Sequence, residues 1–112
     1  MEIVTTQEQN CVILALSGRM DATTAVDFDN AAQAVLKEGH TRLVVDLKDL
    51  VYMSSAGLRS LLSLAKAVKN AGGQLCFCCL QPMVAEVFRI SGFDRMLSVY
   101  TERAEGIAKL LA

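Results

Sequence analysis

Short runs of β-forming residues alternate along this chain with longer amphipathic runs, and this alternation restricts the folds available to it. Apolar runs over residues 11–16, 42–47 and 74–80 predict three strands. A weaker strand is predicted over residues 2–6 and a short one over residues 96–100. The apolar character of residues 42–47 indicates a central parallel strand that is buried on both faces.

Four amphipathic runs separate or follow these strands and predict helices. They cover residues 22–38, residues 55–71, a segment opened by Pro82 and closed by Gly92, and a terminal segment after Thr101. In the first helix the apolar residues expected to share a face are Val26, Ala32, Val35 and Leu36, with Phe28 near its edge. Strands joined through helices are normally parallel. The order therefore predicts an α/β fold, a mostly parallel β-sheet with about four helices packed against it, on one face or on both.

Composition restricts the class of protein. The 112 residues fit a single domain over positions 1–112, and 53% apolar with 21% charged residues is typical of an ordered globular chain. A net charge of −1 argues against nucleic-acid binding, which needs a clustered basic excess. The sequence has neither a run of about 20 apolar residues to span a membrane nor the start of a signal peptide. We therefore expect a cytoplasmic protein with reduced thiols.

Two loops that join a strand to a helix carry the polar residues of interest. One covers residues 18–21 (GRMD) and the other residues 53–58 (MSSAGL). In a parallel sheet such loops emerge at the same edge, where binding sites usually lie. If the two strands are neighbours, Asp21 and Ser55 converge at one end of the domain.

The second loop allows two interpretations. In the first, which rests on spacing alone, one of Ser54 and Ser55 caps the following helix and the two serines have no other role. However, a hydroxyl at a helix N-terminus also accepts a phosphoryl group well, because the dipole and free amides favour the added charge. Gly57 costs about 1 kcal/mol relative to alanine inside a helix, which suggests that something approaches the backbone closely. Arg59 either reaches back to such a phosphate or is a solvated surface residue.

The apolar residues 51–53 just before the serines suit a docking surface, although they could equally pack beneath the helix. Serine catalysis is the rival from another class, and it needs a base within hydrogen-bond reach. The sole histidine, His40, precedes a strand about 20 Å long and is expected at the opposite edge. No G-x-S-x-G turn is present. A Ser-Lys pair stays open, but Lys48 is expected to be solvated, so we predict that the chain is not an enzyme.

The four cysteines include a literal C-x-x-C, but it falls inside a predicted strand. There Cys76 and Cys78 are expected to share one face and Cys79 to occupy the other. Such an arrangement makes a poor zinc site, so buried unreactive thiols and no metal or cofactor are predicted. Asp46, near the end of its strand, is expected to hydrogen-bond a nearby loop.

The motifs in these loops resemble those of STAS domains, specifically bacterial anti-sigma factor antagonists. Residues 17–21 (SGRMD) resemble the family's G-x-[LIM]-D signature. Residues 45–47 (VDL) and 52–58 (YMSSAGL) resemble its [VI]-x-L…[FY]-[MI]-D-S-[STA]-G-[LM] segment. The glycine pair at 72–73 and residues 90–93 (ISGF) also fit, so the resemblance covers nearly the whole chain.

The resemblance implies a phosphorylation-controlled partner switch. The unphosphorylated protein would bind an anti-sigma factor that is itself a serine kinase with a GHKL-type ATP site, and would thereby release a sigma factor or another client. The kinase would phosphorylate the serine in the position of Ser55, and a PP2C-type phosphatase would restore the active form. Ser54 replaces the motif's aspartate, a departure that could alter kinase recognition or allow some phosphorylation at Ser54.

The resemblance also places Asp21 near the phosphorylation site and in contact with the partner. The residues expected to bind the partner are Met20, Asp21, Met53, Ser54, Ser55, Ala56, Gly57 and Arg59. The alternative function is a constitutive STAS subunit or scaffold, for example of a lipid-transport ABC complex, that works without a phosphorylation switch.

Overall fold

The predicted alternation of strands and helices is present in the computed structural model, which describes residues 1–112. The strands are β1 (Glu2–Glu8), β2 (Cys11–Met20), β3 (Arg42–Met53), β4 (Gln74–Cys78) and β5 (Val99–Tyr100). The helices are α1 (Thr24–Lys37), α2 (Ser55–Asn70), α3 (Pro82–Ser91) and α4 (Arg103–Leu111), with a 3-10 turn at Phe93–Arg95. The last strand is shorter than predicted, because this turn comes just before it.

One sheet contains all the strands, in the spatial order β1-β2-β3-β4-β5. Only β1 runs antiparallel to its neighbour, and every other neighbouring pair is parallel. The antiparallel pair turns through Gln9 and Asn10, both of which have positive φ angles (50° and 70°), as a tight two-residue hairpin requires. The predicted α/β class, with a mostly parallel sheet and four helices, is confirmed.

The helices divide unequally between the two faces of the sheet. The larger core lies beneath α1, α2 and α3, and α4 alone covers the opposite face, where Ile107 and Leu110 pack on Ile13 and Val44. The helices therefore cover both faces of the sheet, where the sequence had left open whether they cover one face or both. None of the four helices combines the length and apolar character needed to cross a bilayer.

The buried face of α1 differs from the expected one. Phe28 is fully buried at its centre, together with Ala25, Ala32 and Val35, whereas Val26 is 55% exposed. Nine residues of α-helix make about two and a half turns, so Val26 and Val35 point in opposite directions. The expectation that Val26 is buried was wrong for this geometric reason.

Strand β3 continues through residues 48–53, beyond the strand that the sequence predicted over residues 42–47. Ala15 pairs with Asp46 but Arg19 pairs with Tyr52, so β3 accommodates two more residues than β2 over this stretch. These register shifts are bulges, which let a strand remain paired despite its extra residues. As a result, β3 stays paired with β2 as far as Met53, the residue before Ser54 and Ser55.

The buried carboxylate of Asp46 stabilises the first bulge and anchors α4. One oxygen accepts a hydrogen bond from the backbone N–H of Lys48 (2.9 Å), and the other accepts one from Nε of Arg103 (2.8 Å). The side chain of Gln81 donates to the carbonyl oxygen of Lys48 (2.7 Å). Arg103 also forms an ion pair with Glu8 (3.2 Å). Asp46 therefore bonds the adjacent backbone, as expected, and additionally holds the start of the terminal helix.

We expect Arg103→Ala to lower the free energy of unfolding by about 1–3 kcal/mol, because it leaves a buried carboxylate without its charged donor. Arg95→Ala is the control, since Arg95 is exposed and forms no ion pair, and should change stability by less than about 0.5 kcal/mol. Urea denaturation of both variants measures the difference. Equal effects would show that the Asp46–Arg103 pair does not contribute to stability.

Candidate functional site

The two polar loops converge because β2 and β3 are adjacent and parallel. Met20 pairs with Met53, the last residues of the two strands. Immediately beyond this pair, the backbone N–H of Ser54 donates to the carbonyl oxygen of Met20 (2.9 Å). Asp21 and Ser54 therefore leave the sheet side by side, and the predicted convergence of the two loops is confirmed.

The two serines of this loop have different environments. Ser54 is the N-cap of α2, with extended backbone angles, and its Oγ accepts a hydrogen bond from the N–H of Gly57 (3.2 Å). Ser55 is the first helical residue, is exposed to solvent, and its hydroxyl makes no hydrogen bond within the chain. Capping is therefore assigned to Ser54, and the hydroxyl of Ser55 remains accessible.

The close approach suggested by Gly57 comes from the same chain. A Cβ at this position would lie 2.9 Å from Cγ and 3.2 Å from the carbonyl oxygen of Met20. Glycine therefore lets the first turn of α2 pack directly on Met20. The side chains of Met20 and Met53 are 0% and 2% exposed. These two methionines support the loops from beneath, which corrects the expectation that they are available to touch a partner.

The predicted partner-binding residues that do reach the surface surround Ser55. Ser55 and Arg59 are exposed, while Asp21, Ser54 and Ala56 are partly exposed. Arg59 follows Ser55 by one helical turn, on the same helix. These five residues, spread over two loops and one helix, form the surface that we call the serine edge.

Asp21 orders the other loop of the serine edge. One of its carboxylate oxygens accepts hydrogen bonds from the backbone N–H groups of Thr23 and Thr24 (both 3.0 Å), while its own N–H donates to Oγ1 of Thr24 (2.8 Å). These hydrogen bonds, chiefly the one from the N–H of Thr24, hold the pKa of the Asp21 carboxyl below its usual value. The reason is that a hydrogen bond donated to the charged carboxylate favours the charged form. A fixed negative charge therefore lies beside the serine loop.

Sequence reasoning missed a cation–aromatic contact next to this charge. The guanidinium of Arg19 lies 4.1 Å from the centroid of the Tyr52 ring, a geometry worth about 0.5–1 kcal/mol at exposed sites. Nearby in sequence, Val51 is 52% exposed. Arg19 could have been singled out because it belongs to the same motif as Asp21. Its contact with Tyr52, however, depends on the register shifts between β2 and β3, which the sequence does not reveal.

The residues considered for catalysis do not surround the serines. His40 lies before β3, at the other end of the strand from Ser54, and its Nε2 is 3.4 Å from Nε2 of Gln7. Lys48 is exposed on β3, as expected. The structure therefore gives neither serine a hydrogen-bonded base.

All four cysteines are free thiols, and three of them are buried. Burial raises the pKa of Cys76 to about 12 and that of Cys78 still further. Cys79 was expected on the opposite face, but it packs against the same cluster as the other two. Its left-handed backbone (φ 62°) breaks the alternation of the strand and turns the side chain back, so that prediction was wrong.

The comparisons with known proteins agree with this geometry. The STAS domain family model matches residues 2–106. BtrV of Bordetella bronchiseptica, which is named as an anti-sigma factor antagonist, is 35% identical over 108 residues, which cover 96% of this chain and 93% of BtrV. The chain belongs to the STAS domain family. Within that family it groups with the anti-sigma factor antagonists.

Solved structures share the fold. TM1081 of Thermotoga maritima superposes with a TM-score of 0.92 at 18% identity, covering 98% of this chain and 95% of that one. SpoIIAA in its unphosphorylated form gives a TM-score of 0.82 at 18% identity, covering 96% and 95% of the two chains. The phosphorylated form of the Bacillus SpoIIAA gives 0.76 at 17% identity, covering 96% and 98%. At these identities the likeness establishes the architecture alone.

The different environments of the two serines predict different effects on stability. Ser54→Ala removes the N-cap of α2 and should lower the free energy of unfolding by about 1 kcal/mol. Ser55→Ala, the matched neighbouring change, removes a hydroxyl without a partner and should change it by less than about 0.5 kcal/mol. Urea denaturation of the two variants measures this. A larger loss for Ser55→Ala would contradict the assignment of the cap.

Proposed function

We propose that this chain is a protein-binding switch controlled by phosphorylation of Ser55. Its partner is an anti-sigma factor that is also a serine kinase with a GHKL-type ATP site, bound when Ser55 is unmodified. That binding releases a sigma factor or another client, and a PP2C-type phosphatase reverses the modification. The 112 residues act as one STAS domain in the cytoplasm, where the free thiols remain reduced.

The observation that carries this proposal is the exposed hydroxyl of Ser55 in the first turn of α2. A kinase must reach the oxygen that it modifies, and no hydrogen bond within the chain has to break first. Ser54 is less suited to modification, because its Oγ already accepts the N–H of Gly57. Phosphorylation of Ser54 would also disturb the cap that holds the helix start.

The local charges suit a switch of this kind. The first turn of α2 contains no acidic residue, and its free N–H groups favour an added phosphate. A phosphoserine carries about −1.5 to −2 charges at neutral pH. Arg59 lies one turn away and is free to approach that charge. Modification would therefore change the electrostatics of the serine edge strongly while leaving the packing beneath it intact.

A partner fitted to the unmodified edge would meet a different surface after phosphorylation. It would have to desolvate the phosphate without supplying a compensating cation, next to the fixed carboxylate of Asp21. Burying an unpaired charge of this kind in an interface costs several kcal/mol. Release of the partner then needs no change of fold.

The relatives support the proposal in two ways. BtrV carries the name of an anti-sigma factor antagonist, and the members of this group are regulatory rather than catalytic. SpoIIAA has been solved in both phosphorylated and unphosphorylated forms. A domain of this architecture is thus compatible with both chemical states.

The proposal predicts that Ser55→Asp weakens binding to a purified GHKL-type serine kinase by more than about 30-fold, or roughly 2 kcal/mol, because the carboxylate imitates part of the phosphate charge. Ser55→Ala should bind as tightly as the unmodified protein. Ser63→Asp is the matched control, since Ser63 is exposed further along the same helix. Isothermal titration calorimetry measures all three variants.

The modified residue is identified by incubating the protein with that kinase and ATP, followed by peptide mass spectrometry. We expect phosphate on Ser55 in the wild-type chain and in the Ser54→Ala variant. We expect no phosphate in the Ser55→Ala variant. If no GHKL-type kinase adds phosphate, or if Ser55→Asp binds as tightly as Ser55→Ala, the proposal of a phosphorylation switch is wrong. A constitutive STAS subunit would then be the better description.

A further inference from the structure

Three potential metal ligands meet where β4 ends beside the middle of β3, away from the chemistry proposed for Ser55. Sγ of Cys78, Sγ of Cys79 and a carboxylate oxygen of Asp46 all lie within 4.8 Å of one another. Asp46 and Cys78 are partners in the parallel register of the two strands. The sheet therefore sets the spacing of Asp46 and Cys78, and Cys79 follows directly after β4.

The backbone of Cys79 is what brings both sulfur atoms to one side. Neighbouring residues of a regular strand point to opposite faces, but Cys79 has a φ of 62°. A non-glycine residue in this region costs of order 1–3 kcal/mol and persists where the surrounding structure holds it in place. A backbone hydrogen bond from the N–H of Cys79 to the carbonyl oxygen of Tyr100 (3.1 Å) helps to hold it.

We propose that Cys78, Cys79 and Asp46 form a binding site for a thiophilic divalent cation, with Zn²⁺ as the natural occupant. Zinc takes thiolate and carboxylate ligands in tetrahedral geometry. Zn–S bonds of about 2.3 Å place two sulfur ligands roughly 3.8 Å apart. Closing the present triangle around an ion therefore requires shifts of only about 1 Å.

The surrounding charges suit the occupied state. When the ion binds, Cys78 and Cys79 each release their thiol proton to solvent. The two thiolates and one carboxylate then carry three negative charges, which the cation and the guanidinium of Arg103 balance. Each oxygen of Asp46 already accepts one hydrogen bond, from Lys48 or from Arg103. A carboxylate oxygen has two lone pairs, so one on each oxygen remains available to a metal ion.

The ion has a route to the site and an open fourth position. Cys79 is partly exposed and lines a surface cavity of about 410 Å³ together with Leu80, Tyr100 and Thr101. A water molecule in that cavity can complete the tetrahedron. A disulfide between the two cysteines is less favourable, because consecutive Cα atoms are about 3.8 Å apart whereas disulfides usually need 4.4–6.8 Å.

Titration of the reduced 112-residue chain with Cd²⁺, a thiophilic ion whose thiolate complexes have an ultraviolet sulfur-to-metal charge-transfer band, tests the site. One equivalent of Cd²⁺ is expected to saturate the band, and added Zn²⁺ should displace the Cd²⁺ and remove the band. Cys79→Gly removes one ligand at a backbone position that glycine tolerates, and should weaken binding by more than about 100-fold, since even outer-shell partners are worth roughly 10- to 100-fold. Cys11→Ala, which removes a buried thiol outside the group, should leave the affinity unchanged.

Two further measurements distinguish a built site from ordinary thiol chemistry. Saturating Zn²⁺ should raise the melting temperature of the unmodified protein but not that of Cys79→Gly, because a ligand that prefers the folded state stabilises it. The urea-unfolded chain should bind Cd²⁺ more weakly than the folded one. Equal affinity in the folded and unfolded states, or a Cys79→Gly variant that binds Cd²⁺ as tightly as the wild-type chain, would overturn the proposal.

Discussion

The parallel pairing of β2 with β3 is the constraint on which the serine edge depends. Its last pair brings Met20 beside Met53, and the carbonyl oxygen of Met20 then accepts the N–H of Ser54. The missing side chain at Gly57 lets α2 begin directly above the same methionine. Since a close-packed interior transmits small displacements, the position of Ser55 follows from core packing rather than from a flexible loop.

Hydrophobic periodicity was sufficient to predict the architecture, because the elements of this chain contribute their own apolar runs to the two cores on either face of the sheet. It could not predict the continuation of β3, since a bulge depends on how two strands pair and not on either sequence alone. The turn at Cys79 was missed for a similar reason: a positive φ at a cysteine has no local sequence signal. Which faces of the sheet the helices cover depends on where α4 docks. That docking involves the contact between Asp46 and Arg103, two residues far apart in sequence, so it could not be predicted from local patterns.

Within the serine edge, sequence motifs were sufficient to locate the two loops but not to rank their side chains. Both serines suited the cap, and only the backbone conformation at Ser54 decides between them. Burial of Met20 became visible only with α2 in place, because a methionine at a strand end can face either the solvent or a helix. The contact of Arg19 with Tyr52 required the shifted register, which no spacing rule supplies.

The assignment of the cap to Ser54 has a consequence for how such a domain can diverge. The side chain at position 55 makes no hydrogen bond that the helix start needs. Descendants of this gene could therefore replace it by alanine or an acidic residue at little thermodynamic cost and still inherit a complete fold. The proposed regulation could in this way be lost, or fixed permanently in one state, by a single codon change.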